Sequence, residues 1–286
     1  MLAKADAGQV MAQKSILITG CSSGIGYCAA VGMRAQGWRV FAACRKPEDC
    51  ERLKGEGFES PHIDYTDEAT IEAALAEVLA ATGGTLDALF NNGAHGTPGA
   101  VEDLPTDALR AIFEANFFGW HHLTRAVIPV MRKQGHGRII QCSSVLGFVT
   151  MPWRGAYNAT KFALEGLTDT LRVEMRDTPI HVSLIEPGPV TSNIRQNAIP
   201  HFERWIDWRN SVRCAQYETG LIKRLYEERG PDRFELPATA VLEKLIHACE
   251  APRPQARYYV TTPTHIMGTL RRILPTRALD WVLSRG

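Results

Sequence analysis

Residues 15–37 read SILITGCSSGIGYCAAVGMRAQG. An apolar β-type run, Ser15 to Thr19, passes at once into a glycine turn and then into a helical stretch. Strand, glycine turn and helix are the setting that a phosphate-binding loop requires. Gly20 lets the chain turn sharply, and Gly24 and Gly26, on either side of Ile25, leave room for a pyrophosphate against backbone N–H groups. Ser22 and Ser23 add hydroxyl donors. A Gly/Ser turn that merely caps a helix is the plain alternative, and the strand before and helix after weigh against it.

Outward from this loop the same alternation repeats. A second strand, Trp38–Cys44, ends in Arg45-Lys46, where a dinucleotide fold reads the adenosine ribose. No acid stands there to accept from a 2′-hydroxyl, and Arg45 suits a 2′-phosphate. The cofactor expected is therefore NADP(H) in preference to NAD(H). A third strand is expected over Phe58–Asp64, interrupted by Pro61, with Asp64 and the adjacent Tyr65 beside the adenine. Asp64 could equally be a helix-start residue, in competition with Thr66 and Asp67. The helix that follows carries Ile71, Leu75, Val78 and Leu79 at helical spacing.

Leu86–Phe90 is the fourth strand and leads into Asn91-Asn92-Gly93, where small residues allow close approach of a ligand. Thr106 to Gln134 reads as one long helix with Pro129 late in it. Asn116 lies in its middle, either bending the helix to bond a water or as a tolerated polar residue. The apolar run RIIQC (138–142) is a fifth strand, Ile180–Gly188 a sixth, and Arg257–Thr261 a seventh. This order predicts an α/β, Rossmann-type doubly wound parallel sheet of about seven strands flanked by helices. Ligands of such sheets bind outside the carboxyl ends of the strands. Arg45, Asp64, Asn92, Ser144 and Pro187-Gly188 all fall at that edge.

Tyr157 and Lys161 are four residues apart in a helical segment, so phenol and ammonium share one face. A fixed positive charge stabilises a phenolate and moves its pKa from about 10 toward neutrality, which equips the tyrosine to pass a proton. Ser143 and Ser144 follow the fifth strand and bring a hydroxyl to the same edge. A surface phenol beside a salt-bridging lysine is the bland reading of the pair.

The formal net charge of +1 gives no bulk electrostatic case for nucleic acid. The seven cysteines are scattered, odd in number and without a C-x-x-C pair, so they read as thiols of a reducing compartment rather than disulfides or a metal site. No apolar run approaches the ~18 residues of a membrane span, and a cytoplasmic protein is expected. Residues 1–13 read as a flexible leader.

Together these residues resemble the short-chain dehydrogenase/reductase family over about residues 14–262, as a single catalytic domain. The glycine loop Thr19-Gly20-Cys21-Ser22-Ser23-Gly24-Ile25-Gly26 matches, as does a tetrad of Asn116, Ser144, Tyr157 and Lys161. The thirteen-residue interval between Ser144 and Tyr157 is the family's usual one. Pro187-Gly188, with Val190 and Thr191 just beyond, matches the turn before the substrate loop. Asn91-Asn92-Gly93-Ala94 departs by exchanging the usual Ala and Gly, and both side chains stay small.

The resemblance implies that Tyr157 exchanges a proton with the carbonyl or alcohol oxygen and that Ser144 polarises it. It implies that Lys161 lowers the tyrosine pKa and holds the nicotinamide ribose, and that Asn116 positions a relay water. No metal is required, and a homodimer or homotetramer is the assembly the family suggests. It is also similar, more diffusely, to steroid- and retinol-dehydrogenase-like members and to bacterial aldehyde reductases.

Residues 189–236 are the expected substrate lid, carrying Phe202, Trp205, Ile206, Trp208, Val212 and Tyr217. An apolar flap suggests a hydrophobic carbonyl or alcohol substrate, unless these side chains serve to pack the lid. Residues 263–286 form a basic amphipathic tail that covers core or a subunit contact, with a membrane surface as its other use. The function expected is reduction of hydrophobic aldehydes or ketones. Oxidation of a steroid or retinol on the same site is the alternative. A catalytically silent dinucleotide sensor is the alternative of another class.

Overall fold

A computed structural model describes residues 13–227 and 230–284; the expected leader, up to residue 12, lies outside them. The elements in order begin with β1 (Ser15–Thr19), α1 (Gly24–Ala35), β2 (Arg39–Ala43), α2 (Pro47–Gly55), α3 (Glu68–Thr82) and β3 (Ala88–Asn91). They continue through α4 (Thr106–Phe113), α5 (Gly119–Gln134), β4 (Gly137–Cys142), α6 (Gly155–Glu174) and β5 (Ile180–Glu186). The lid holds α7 (Ile194–Trp205), α8 (Cys214–Gln216) and α9 (Lys223–Tyr226). The chain closes with α10 (Thr239–Glu250), β6 (Arg257–Tyr259), α11 (Thr262–Ile273) and α12 (Thr276–Leu283).

The six strands form one parallel sheet in the order β2-β1-β3-β4-β5-β6. Every residue of β1 and of β3 is buried, as expected when helices cover both faces of a parallel sheet. The order reverses between β1 and β3, and a ligand crevice opens at such a switch point.

The third expected strand is not one. Phe58–Asp64 makes only isolated parallel bridges to β2 and the residue after it, Phe41 to Glu59 and Cys44 to His62. Pro61 has no N–H to give to a ladder, so the segment stays an edge attachment. The long helix expected over 106–134 is likewise modified, because a π-turn over Glu114–Phe118 separates α4 from α5 and contains Asn116.

Helix α6 is tied to the sheet by Arg257. Its guanidinium bonds Glu165 and Asp169 on α6 and Glu186 at the end of β5. Glu186 is fully buried, and burial together with Glu165 pushes its carboxyl up to about 8. Removing a buried pair's cation strands its carboxylates. Arg257→Met is expected to cost about 3 kcal/mol in a urea unfolding titration, and a loss below about 1 kcal/mol would show the acids relax by taking up protons.

The lid has its own core. Phe202, Ile206, Tyr217, Leu221 and Leu225 are buried against one another, with Trp153, Trp205 and Trp208 packed alongside. Phe202 and Tyr217 therefore pack the lid rather than lining open space, and Val212 is 93% exposed. The tail packs as α11 and α12. α12 and the turn 150–153 border a groove of about 540 Å³ against Asn158, Ala159 and Phe162, on another face of α6 than Tyr157 and Lys161. No helix among the described residues is long and apolar enough to cross a membrane.

Candidate active site

The glycine loop joins β1 to α1 with Gly20 at φ +69° and Gly24 at φ +56°. A Cβ on Gly20 would lie 2.6 Å from Gly93 Cα, and one on Gly26 would lie 2.2 Å from Gly20 O. Ser23, the N-cap of α1, makes no side-chain cap bond, and no acid stands in the first turn. The positive end of α1 is thus left open to an anion. Thr19 fixes the facing loop, since Asn92 N–H and Gly93 N–H donate to its hydroxyl at 2.9 and 3.2 Å and Asn92 Nδ2 to its carbonyl at 3.1 Å. These residues fit a dinucleotide. Gly26→Ala is expected to abolish dinucleotide binding, measured by cofactor fluorescence, because the methyl meets backbone that cannot move aside. Binding within threefold of the parent would refute this cradle.

Of the expected adenosine contacts, Arg45 stands exposed at the end of β2, and no carboxylate among the described residues forms an ion pair with it. Asp64 Oδ1 accepts from the Thr66 N–H and hydroxyl at 2.9 and 2.8 Å, while Asp67 caps α3. Tyr65 turns its ring into the core, its hydroxyl donating to Asn91 Oδ1 and accepting from the Thr19 hydroxyl. Any contact of Tyr65 with a cofactor is left to its backbone. On the other side of the crevice, Gly188 lies against Thr261, with its virtual Cβ 2.1 Å from the hydroxyl. Val190 bridges Leu236, and Thr191 donates to Glu235 at 2.8 Å.

The tetrad residues arrive from three elements. Ser144 follows β4; its hydroxyl donates to Pro187 O at 3.4 Å and accepts from Leu146 N–H at 3.1 Å. It also stands close enough to the Tyr157 phenol to draw its pKa down. Ser143 does not reach that phenol; it turns toward Gly147 and Glu165. Lys161 is 1% exposed, donates to Cys142 O at 2.7 Å and lies 4.2 Å above the Trp120 ring and 5.6 Å from the Tyr157 ring. Asn116 is fully buried, and both ends of its amide clamp His95, taking its N–H at 3.1 Å and giving to its carbonyl at 2.8 Å. Both polar ends of the Asn116 side chain are therefore occupied, and the side chain offers no free group to the water expected there.

Electrostatics correct one expectation. Burial raises the Tyr157 phenol above its ordinary value, Cys142 adds to this, and only the Ser144 bond pulls it down. Lys161 is itself pushed down to about 8 by burial, against the pull of Cys142 and Glu165. Desolvation decides the direction for both groups. The phenol is protonated at neutral pH and can donate to an oxygen placed beside Ser144.

Sequence reading missed Trp120, which supports Lys161 and donates to Gly93 O at 2.8 Å. Its spacing of four from Asn116 was the available signal. It also missed the stacking of His95 on His201 of the lid, with centroids 3.6 Å apart, for which no local signal exists.

The short chain dehydrogenase family model matches residues 14–202. The chain belongs to the short-chain dehydrogenase family. It is 40% identical to the oxidoreductase YbbO of Escherichia coli K12 over 96% of both chains. It is 32% identical to human 17-beta-hydroxysteroid dehydrogenase type 1, covering 88% of this chain and 78% of the other. A short-chain dehydrogenase/reductase of Burkholderia phymatum, solved in complex with NAD, superposes with a TM-score of 0.74 at 26% identity over 91% and 92% of the two chains. This short-chain dehydrogenase is accordingly an NAD(P)-dependent oxidoreductase of CH–OH and carbonyl groups. The nicotinamide supplies or accepts the hydride when bound.

Proposed function

We propose that this enzyme uses NADP(H) to reduce the carbonyl of hydrophobic aldehydes or ketones, with Tyr157 as proton donor. The observation that carries this reading is the convergence of Tyr157, Ser144 and Lys161 beside the dinucleotide cradle. Tyr157 gives its proton to the carbonyl oxygen, and Ser144 donates a hydrogen bond to the same oxygen as charge develops. Lys161 holds a positive charge one turn away and binds the ribose. Asn116 holds His95 and the shape of the loop, and the backbone of its π-turn holds the relay water. The phenol is protonated at neutral pH, the state that reduction requires; oxidation of an alcohol such as a steroid or retinol is the second reading, favoured by the name of the human relative. All four tetrad positions are filled, which weighs against a silent sensor.

The preference for NADP(H) rests on Arg45, whose guanidinium has no ion-pair partner among the described residues. Gly20, Ser22, Ser23, Gly24, Ile25 and Gly26 would hold the pyrophosphate, Asp64 and the Tyr65 backbone the adenine, and Asn92, Gly93, Pro187, Gly188, Val190 and Thr191 the nicotinamide half. Purified protein should oxidise NADPH at least tenfold more efficiently than NADH with medium-chain aldehydes or steroid ketones. In Arg45→Ala, kcat/KM for NADPH should fall about 10- to 100-fold, the range of a lost charge-assisted bond, with NADH changed less than threefold. Better turnover with NADH in the parent would refute the assignment of Arg45.

A cytoplasmic placement is supported by seven free cysteines. Phe118 and Phe162, 49% and 37% exposed near the α5 and α6 surface, support a homodimer or homotetramer through that face.

A further inference from the structure

We propose that His201 is the positioning residue of the lid, and that its stack on His95 latches α7 over the dinucleotide crevice. The inference rests on the dinucleotide site of the family and holds for either direction of reaction. The two rings lie parallel, with centroids 3.6 Å apart and planes 5° from one another. They join two segments far apart in the chain, the loop after β3 and the middle of α7.

Both sides of this contact are held in place. On the loop side, Asn116 takes the His95 N–H at 3.1 Å and gives to its carbonyl at 2.8 Å. Two residues earlier, Gly93 O accepts from Trp120, whose ring lies 4.2 Å from Lys161 Nζ. On the lid side, α7 reaches across the crevice. Just before it, Ser192 packs on the glycine loop, its Cβ 3.3 Å from a virtual Cβ on Gly24. Ala198, one turn before His201, meets Gly96, its Cβ 3.7 Å from the virtual Cβ there. Ile206, at the end of the helix, covers Gly99. Ala198 and His201 thus share the face of α7 that meets the loop.

The charges that bear on the rings are Arg45 at the end of β2 and Arg204 on α7. No carboxylate among the described residues pairs with either imidazole, and His95 Nδ1 lies 3.4 Å from Gly96 O. Burial and His201 push His95 down to about 4, and burial, Arg45 and Arg204 lower His201. Both rings therefore stand neutral at pH 7. An imidazole released by lid opening returns toward its ordinary value of about 6.5. Above that value closed and open lids hold the same protons. Below it the open lid takes up protons that the closed lid refuses, so the closed form loses favour as pH falls. The shift is about tenfold per imidazole for each pH unit below about 6.5. A latched lid retains the reactants, so loss of the latch raises KM and leaves kcat, set by groups the latch does not touch, nearly unchanged.

Hydrogen exchange of the α7 amides in the full chain, corrected for its intrinsic pH dependence, tests the latch at about pH 7.5 and 5.5. The parent should lose about 10- to 100-fold of its α7 protection at the lower pH. His201→Ala should strip that protection at both pH values and raise KM at least threefold, with kcat within threefold. His201→Phe keeps a flat ring without a proton site. It should match the parent at the higher pH and lose about tenfold less protection at the lower. Parent protection that does not change with pH, or that survives His201→Ala within twofold, would overturn the latch. If His201→Ala also strips the central strands, it has unfolded the protein, and the His201→Phe comparison decides. If the exchange pattern holds while no carbonyl is reduced, the latch stands and the reductase reading falls. If carbonyls are reduced while α7 ignores pH and both substitutions, the latch alone falls.

Discussion

Tyr157→Phe is expected to lower carbonyl turnover by about 10²–10⁴-fold, the range set by loss of a positioned acid, while dinucleotide affinity stays within about twofold. The substitution removes one oxygen and keeps the ring. Ser144 retains Pro187 O and Leu146 N–H as partners, so no buried polar group is stranded and the fold is undisturbed. Steady-state NADPH oxidation reads the loss, and quenching of protein fluorescence reads the binding. Residual turnover above a tenth of the parent would mean that another group delivers the proton.

Lys161→Met is expected to act in two opposite directions. Catalysis should fall about a hundredfold or more, because Tyr157 loses its neighbouring cation and, on the proposed reading, the ribose its donor. Stability should rise, because an ammonium buried to 1% exposure is replaced by an apolar chain of similar length. In the folded parent the lysine titrates at about 8, against about 10.4 in an unfolded chain. Between those values the unfolded chain holds a proton the folded one has released, so the parent gains stability as pH rises through this window. Below it the buried charge weighs on the fold in full.

The Met variant should therefore melt about 2–5 °C higher at pH 7, less the lost bond to Cys142 O, and the gap should close toward pH 10. Activity of the parent should decline as pH rises through about 8, where Lys161 gives up its charge. Scanning calorimetry across this range checks the first, and a pH–rate profile the second. A Met variant less stable than the parent at pH 7 would show that Cys142 O, Trp120 and Glu165 more than repay the desolvation.

Much of the site was legible in one dimension. The glycine loop, the Tyr157–Lys161 pair and Ser144 are defined by short spacings, and each spacing translates directly into shared helix face or strand end. The side chains of Tyr65 and Asn116 are held by partners that no short spacing shows. Their partners, Thr19 with Asn91 for one and His95 for the other, come from other elements of the chain. The expected third strand failed for a local reason, Pro61, whose consequence depends on lying at the sheet edge.

The sequence by itself determined the family, the order of the elements and the sheet edge that carries the candidate site, because hydrophobic period and turn chemistry act between near neighbours. Tertiary structure alone decided which lid aromatics are core and that Tyr157 is raised rather than lowered. Desolvation and long-range convergence depend on what packs around a residue, and residues tens of positions apart in the chain supply that packing.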